Sequence, residues 1–516
     1  MTVNWITGAK MPSEIILTTL NARYIHSSFA LRYLYANLGD LQTTTEIQEF
    51  TINQLAMEIA GQLLSATPKI IGFSVYIWNV VETKAVIAII RQVAPGICIV
   101  LGGPEVSFKQ DQPDICSLAD YVVGGPGEIS FPQLCNDYLK GLKPLECFVP
   151  GIAVNLDNLK LPYDLYTDQD IASRIVYVEA SRGCPFKCEF CLSSLDKTAV
   201  PFELERFLDE MDRLHRRGAR NFKFIDRTFN LKVATSVAIL EFFLERMSDD
   251  LYLHFEVIPD NLPEKLKVVL PRFPAGRLQF EIGVQTFDPA IQKTINRRQD
   301  NVKTVENIRW LRENTGAHIH TDLIFGLPGD SLDNFAASFD QLIEINPQEI
   351  QMGILKRLRG APLNRHTEEF DMRYNPLPPY SILSNRDVSF DDLQRVTRFA
   401  RYWDMIGNSG RFSSSLPLLM GENPFVRFMA LSDALYNVEG RTWKIALRRL
   451  FGLIAKIASD DSDIDSNAIL ASLKEDFERS GEKGRFETVL IQPSTSRLGV
   501  ANRRQKQHKV LELTGS

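Results

Sequence analysis

Short apolar runs alternate with amphipathic stretches from residue 14 to residue 139, and this alternation restricts the fold more than any other feature of the chain. Glu14–Leu20, Glu46–Phe50, Lys69–Val75, Ile97–Leu101 and Tyr121–Val123 read as strands. Between them, Ser27–Leu38, Leu55–Ser65, Val80–Val93 and Ser130–Leu139 have helical periodicity. Strands spaced by single helices form parallel sheets through crossover connections. The pattern predicts an α/β fold opening on a five-stranded, doubly wound, Rossmann-like (flavodoxin-like) sheet. Such sheets bind ligands at the carboxyl ends of their strands. Gly102-Gly103-Pro104 follows one strand and Gly124-Gly125-Pro126-Gly127-Glu128 the next, where a ligand needs close approach to the backbone.

The first unit is expected over 1–145 and a linker with Pro150, Gly151 and Pro162 over 146–173. Alternation then resumes over 174–370. Its strand candidates are Ile175–Glu179, Asn221–Ile225, Tyr252–Val257, Arg277–Ile282, His318–Phe325 and Glu349–Ile354. Six strands with helices between them predict a partial (β/α)6 barrel, with its chemistry at the C-terminal mouth. A helical region is expected over 371–495, in Asp387–Met405, Phe425–Leu435, Thr442–Ala458 and Asn467–Arg479. A polar, basic tail follows over 496–516.

Composition narrows the function classes. The chain has 516 residues, 44% hydrophobic and 24% charged, enough for large buried cores. A formal net charge of -6 gives no reason to expect nucleic acid as a partner. No apolar run approaches the ~20 residues of a membrane helix, and the start at Met1 lacks the layout of a secretory signal. These features predict a cytoplasmic protein without membrane insertion. Seven cysteines in such a chain point to metal or redox chemistry rather than a disulfide framework.

Three of them lie in Cys184-Pro-Phe-Lys-Cys188-Glu-Phe-Cys191, just after a predicted strand. Three thiolates on one loop suit three irons of a [4Fe–4S] cubane, leaving the fourth iron open. Zinc is the competing reading, but it usually takes a fourth protein ligand, and no nearby Cys or His supplies one. Chance clustering of structural cysteines is the third reading. Cys98, Cys116, Cys135 and Cys147 are scattered and read as small buried hydrophobes. No cysteine follows Cys191, so this sequence offers no cysteine-ligated second cluster downstream.

The triplet, with the aromatic Phe190 before its last cysteine, resembles the CxxxCxxC motif of the radical S-adenosylmethionine (radical SAM) superfamily. Two further stretches, Gly283 to Arg297 and Thr321 to Gly329, resemble the oxygen-independent coproporphyrinogen oxidase branch. The resemblance implies that Cys184, Cys188 and Cys191 hold a [4Fe–4S] cluster and that S-adenosylmethionine binds beside it. By the same resemblance Phe190 and Ile324 would contact the adenine, Gln285 and Asp322 the ribose and methionine parts, and Arg297 the carboxylate. Asp226, Glu256 and Glu281, at or near strand ends, are further candidates for that ligand, with plain salt bridges as the alternative.

The N-terminal layout resembles the cobalamin-binding domain fused ahead of some radical SAM barrels, and nearly the whole chain resembles a subfamily of such fusions. That resemblance implies cobalamin near Asn21, Ser74, Trp78, Asn79, Gly102, Gly103, Gly125 and Glu128. The Asp-x-His-x-x-Gly motif that supplies a lower cobalt ligand in other cobalamin domains is absent; His26 lacks the flanking residues. An empty flavodoxin-like scaffold is the alternative, because a doubly wound sheet does not name its ligand.

The leading expectation is methylation of an unactivated carbon of a small molecule, with electrons from a donor such as flavodoxin or ferredoxin. A non-methylating oxidation, cyclisation or rearrangement with the same cofactors is the second reading. A cobalamin-binding sensor with a vestigial barrel is the third.

Overall fold

The computed structural model describes residues 13–487. The expected tail at 496–516 and the start at Met1 lie outside them. Among the described residues, contacts define one compact unit up to Ala400 and a second from Arg401 onward.

The first sheet contains β1 (Ile15–Asn21), β2 (Thr45–Thr51), β3 (Ile70–Ser74), β4 (Cys98–Gly102), β5 (Tyr121–Gly124) and β6 (Phe148–Pro150). Its order is β2-β1-β3-β4-β5-β6, all parallel. Helices α1 (Phe29–Ala36), α2 (Ala56–Ser65), α3 (Val80–Val93) and α4 (Ser130–Leu139) cover its two faces. The alternation along each strand feeds two separate cores. Ile16, Ile71, Ile99 and Val122 pack with Ile59, Leu63 and Ile87 of α2 and α3. Ile15, Ile70, Val100 and Val123 pack with Leu31, Phe131 and Leu134 of α1 and α4. Strands buried on both faces are what a parallel, helix-covered sheet requires.

This sheet has six strands, not five. The sixth, Phe148–Pro150, falls within the expected linker, and it is too short and too proline-bound to show as a strand by periodicity. The rest of that segment is packed rather than free. Tyr163 and Tyr166 are fully buried, and their hydroxyls donate to the carbonyls of Glu179 and Tyr177. Asp170, in α5 (Asp168–Ser173), accepts from Arg32 at 2.9 Å, and Arg32 also pairs with Glu49 at 2.6 Å.

The barrel strands are β7 (Val176–Val178), β10 (Asn221–Phe224), β11 (Tyr252–Val257), β12 (Leu278–Gln285), β13 (His318–Phe325) and β14 (Glu349–Ile354). They pair in parallel in the order β14-β13-β12-β11-β10-β7. A small ribbon of β8 (Ser181–Arg182) and β9 (Val200–Pro201) brackets the cysteine loop. The covering helices are α6 (Leu204–Arg216), α7 (Val233–Glu245), α8 (Glu264–Val269), α9 (Pro289–Thr294), α10 (Asn301–Asn314) and α11 (Leu332–Ile345). Strict alternation sets the faces of β12 and β13. Leu278, Phe280, Ile282 and Val284 are buried, as are Ile319, Thr321, Leu323 and Phe325. The intervening residues, Glu281, Gln285, His320 and Asp322 among them, share the opposite face.

A strap follows with β15 (Arg373–Tyr374), β16 (Ile382–Ser384) and α12 (Phe390–Ile406). In the second unit, α13 (Leu416–Met420), α14 (Pro424–Glu439), α15 (Leu447–Ser459) and α16 (Ser466–Arg479) are helical. Phe451 contacts Phe412 and Phe477 at ring-centroid distances of 4.4 and 5.3 Å in that unit's core. Asp476, fully buried, accepts from the backbone amides of Ser414 and Ser415. No helix among the described residues is long and apolar enough to cross a membrane.

Candidate active site

Two cavities of the first unit hold most of the residues singled out by sequence. The larger, about 630 Å³, opens at the carboxyl edge of the first sheet and is also lined by Tyr177, Glu179, Arg182 and Ile225 from the segment that begins the barrel. Pockets of this size suit a cofactor. Asn21, Ser74, Trp78, Gly102, Gly103, Gly125 and Glu128 all line it. Gly103 has φ of 102°, and a Cβ there would stand 2.5 Å from the Val75 carbonyl oxygen, so the turn admits only glycine without movement. Trp78 is 46% exposed and stacks on Tyr76 at 4.2 Å, so it forms an aromatic wall rather than core.

Asn79 does not line this cavity. It is fully buried, accepts from the Tyr76 amide at 2.8 Å, and donates to the carbonyls of Leu20 and Ser74. Its position after a strand looks like a ligand contact, but the side chain is consumed in tying β1 to β3. His26 lies on the wall with Nδ1 2.7 Å from the Tyr177 hydroxyl, and burial lowers its pKa.

Arg182 ties the strand that leads into the cysteine loop to the first sheet's glycine-rich turn. It lines the larger cavity, donates to Glu128 at 2.7 Å and to Glu179 at 2.6 Å, and stacks over the Tyr33 ring at 4.9 Å. Burial raises the Glu179 pKa, and Arg182 opposes that shift.

The second cavity, about 230 Å³, lies at the barrel mouth. Its lining includes Cys184, Cys188, Cys191, Phe190, Glu256, Glu281, Gln285, Arg297 and Asp322. All three cysteines are free thiols. No group of three or more His, Cys, Asp or Glu among the described residues converges tightly enough for a single metal ion. A cubane asks for something different, since each thiolate binds its own iron. The donor set fits that group: three thiols around one cavity, with Arg297 Nη1 3.6 Å from Cys188 Sγ. Burial raises the Cys184 and Cys188 pKa values, and the neighbouring thiols oppose ionisation further. Bound cations would relieve both costs.

The loop is held from outside by Glu189. This residue is 3% exposed, and its carboxylate accepts from Arg365 at 2.5 Å and lies 2.9 Å from His366 Nε2. Its backbone donates to the Ile295 carbonyl and accepts from the Leu363 amide.

Gln285 ends β12 in the left-handed region, with φ of 71°, and its buried Oε1 has no hydrogen-bond partner. Non-glycine residues there are strained, and strain of this kind collects at ligand sites. An unsatisfied buried carbonyl on a cavity wall is what a hydroxyl or ammonium ligand would complete. Gly283 makes this possible, because a Cβ there would strike the Gln285 amide. Arg297 also donates to the Gly283 carbonyl, and Glu256 receives both bonds from Arg227, at 2.8 and 2.9 Å.

Two expected ligands lie elsewhere. Asp226 is fully turned away from the cavity, accepting from the Ala180 amide at 2.9 Å and the Ser181 hydroxyl at 2.6 Å. Burial pushes its pKa up to about 7. Ile324 shares the face of Asp322 on β13 but does not line the cavity. Among the other cysteines Cys98 and Cys135 are buried, while Cys116 is half-buried and Cys147 exposed. Cys147 corrects the expectation of a buried hydrophobe; it directly precedes the short edge strand β6. Phe186, Arg227 and Arg298 join the cavity lining without having been singled out by sequence. Phe186 and Arg298 stand beside residues that were, and Arg227 follows a strand end; that adjacency is the signal that marks them.

Residues 15–135 match the B12 binding domain, 178–342 the radical SAM superfamily, and 368–512 a protein family of unknown function, DUF4080. Uncharacterized methyltransferase PH0819 of Pyrococcus horikoshii is 25% identical over 306 residues, 54% of this chain and 65% of that protein. The cobalamin-dependent radical SAM methyltransferase TokK of Streptomyces tokunonensis is 24% identical, over 61% of this chain and 51% of that protein. The chain thus spans between half and two thirds of the length of these relatives. An oxygen-independent coproporphyrinogen III oxidase of Paracoccus denitrificans is 31% identical over 97 residues, 19% of this chain and 21% of that protein. The fold is like that of TsrM from Kitasatospora setae, a radical S-adenosylmethionine methyltransferase, with a TM-score of 0.56 and 18% identity over 70% of this chain and 79% of that one. The chain is therefore built from a B12 binding domain and a radical SAM superfamily domain, in that order, followed by a DUF4080 region.

Proposed function

We propose that this chain is a cobalamin-dependent radical SAM enzyme that methylates an unactivated carbon of a small molecule. The observation that carries the reading is the pair of cavities in one compact unit. One is large and glycine-edged at the end of a doubly wound sheet; the other is ringed by three free thiols at a barrel mouth. The methyltransferase names of the relatives, each matched over only part of its length, support methyl transfer as the reaction class.

When bound, a [4Fe–4S] cluster with S-adenosylmethionine would supply a 5′-deoxyadenosyl radical, and cobalamin would supply the methyl group. In this reading Cys184, Cys188 and Cys191 hold the cluster. Gln285, Asp322 and Glu256 accept from the ribose and amino groups of S-adenosylmethionine, Arg297 faces its carboxylate, and Phe190 packs on its adenine. Glu281 lies behind them as a charge on the wall. Asn21, Ser74, Trp78, Gly102, Gly103, Gly125 and Glu128 border the corrin. Domain limits of 1–145, 174–370 and 371–495, cytoplasmic location and a flavodoxin or ferredoxin as reductant belong to the same reading.

The test is anaerobic reconstitution with iron, sulfide and cobalamin, followed by product analysis. Deoxyadenosine and S-adenosylhomocysteine formed together, dependent on substrate and cobalamin, are the expected result. Deoxyadenosine without a methylated product rejects methylation, and no cleavage of S-adenosylmethionine rejects the reading.

A further inference from the structure

Beneath the thiol-lined cavity, the inner face of the barrel carries an ionisable layer. His320 on β13 sits at its centre. Its Nε2 is 3.2 Å from Asp322 Oδ1, and its Nδ1 is 3.3 Å from Glu349 Oε2. Glu349 also meets His318 at 3.0 Å. On the neighbouring strands, Glu281 of β12 lies 3.0 Å from His254 of β11 and 3.4 Å from Lys223 of β10. Of this layer, Glu281 and Asp322 reach the cavity wall.

We propose that His320 is a positioning residue for the ligand of that cavity: braced against Glu349, it holds Asp322 so that one carboxylate oxygen faces the imidazole and the other is presented to a hydroxyl or ammonium group of the ligand. The inference rests on S-adenosylmethionine occupying this cavity. The geometry supports it from two sides. Among the described residues no guanidinium or backbone amide orients Asp322, and its buried Oδ1, which makes no aligned hydrogen bond, is approached by His320 Nε2 at 3.2 Å. The brace itself is anchored, because Glu349 is fixed by two imidazoles.

The charge state is consistent with that role. Burial lowers the His320 pKa, but Asp322, Glu349 and Glu281 outweigh it and raise it to about 10. Hydrogen bonds from His318 and His320 lower Glu349 to about 2, and Glu281 falls to about 2 because His254 and Lys223 outweigh its burial. Burial raises Asp322, with His320 opposing. An imidazolium between two carboxylates therefore persists across the neutral range, and the groups that face it are Asp322, His318, Glu349, Glu281, His254 and Lys223.

The test uses the full chain, reconstituted anaerobically, with S-adenosylmethionine affinity measured calorimetrically and iron content measured on every sample. H320Q should weaken binding by about tenfold with iron content unchanged, and E349Q by about threefold. D322N/H320Q should bind no more weakly than D322N, within about twofold, because the imidazole acts through the carboxylate. The ratio of wild-type to H320Q affinity should stay constant between about pH 6 and 8.5, because His320 keeps its proton throughout that range. H320Q and E349Q both binding like wild type overturns the proposal, and so does a double variant that shows the product of the two single losses. If H320Q fails to fold, E349Q decides. Fully iron-loaded wild type that binds no S-adenosylmethionine overturns the functional reading, and this proposal falls with it; wild-type binding with indifferent variants overturns the proposal alone.

Discussion

Arg182 Nη1 lies 2.7 Å from Glu128 Oε1, so the loop that carries the cysteines is bonded to the glycine-rich turn of the first sheet two residues before Cys184. Arg182 also neutralises the buried Glu179. Replacing it with alanine leaves two largely buried carboxylates without their cation. R182A should lose about 3 kcal/mol of unfolding free energy, the usual cost of breaking such a pair from one side. R182K should lose less because a cation remains beside both carboxylates, yet still fall below wild type, since a point charge cannot serve the two with the geometry of a guanidinium. Chemical denaturation of the two variants checks this, and an R182A protein as stable as wild type refutes it.

Single replacement of Cys184, Cys188 or Cys191 by alanine should abolish retention of a cubane, with iron content falling by about tenfold or more, because two thiolates cannot hold three irons. Substitution of Cys147, exposed and outside that cavity's lining, should leave iron content unchanged. Iron and labile sulfide assays on anaerobically reconstituted protein separate the two groups.

Glu189 makes a different prediction. It touches no ligand, yet it joins the cysteine loop to Arg365 and His366. E189A should retain the fold and lose cluster affinity by about 10-fold or more, as loss of an outer partner of a metal site typically does. Chelator competition against wild type measures it; equal rates of iron loss would argue that the clamp is idle.

Asp226 predicts a pH signature. Its pKa in the folded chain is raised to about 7 from the ordinary 3.8, so the folded state holds a proton that the unfolded state releases. The stabilisation is complete below about pH 4 and is lost as pH rises through 7. Asp330, also raised to about 7, contributes in the same window. D226N should therefore flatten part of the decline in stability between about pH 4 and 7 and leave the remainder. Thermal unfolding across that range reads the difference, and parallel curves would contradict it.

Gly103→Ala should be costly at the carboxyl edge of the first sheet. A Cβ there meets the Val75 carbonyl oxygen at 2.5 Å, with φ at 102°. A loss of about 2 kcal/mol in stability is expected from the combined strain and clash, together with weaker corrin uptake. Equal cobalamin retention by the variant would show that this turn does not border the corrin.

The two parallel sheets were legible because their strands are written in periods. In β13 every second residue from Ile319 to Phe325 is buried, and only Thr321 on that face and Ile324 on the other depart from an apolar–polar alternation in His318–Phe325. The thiols were legible because three ligands on one loop need no tertiary information. What stayed hidden depends on distant pairings. Phe148–Pro150 becomes a strand only because β5 offers it an edge. Arg182 becomes a joint only when Glu128, far back in the chain, is folded beside it. Asp226 and Asn79 mislead in the opposite way: a polar residue after a strand can face a ligand or can bond the neighbouring backbone, and local sequence does not distinguish the two.

The clamp on the cysteine loop also orders events in time. A ribosome releases Glu189 long before Arg365 and His366, and the segment around Ile295 emerges between them. The nascent chain therefore displays its three thiols on a loop framed only by its own ribbon, and the outer clamp closes only after the turn carrying Arg365 and His366 has been made. An iron–sulfur centre seated in the clamped form of this loop is thus one that the chain can finish only once the turn at Arg365 and His366 exists.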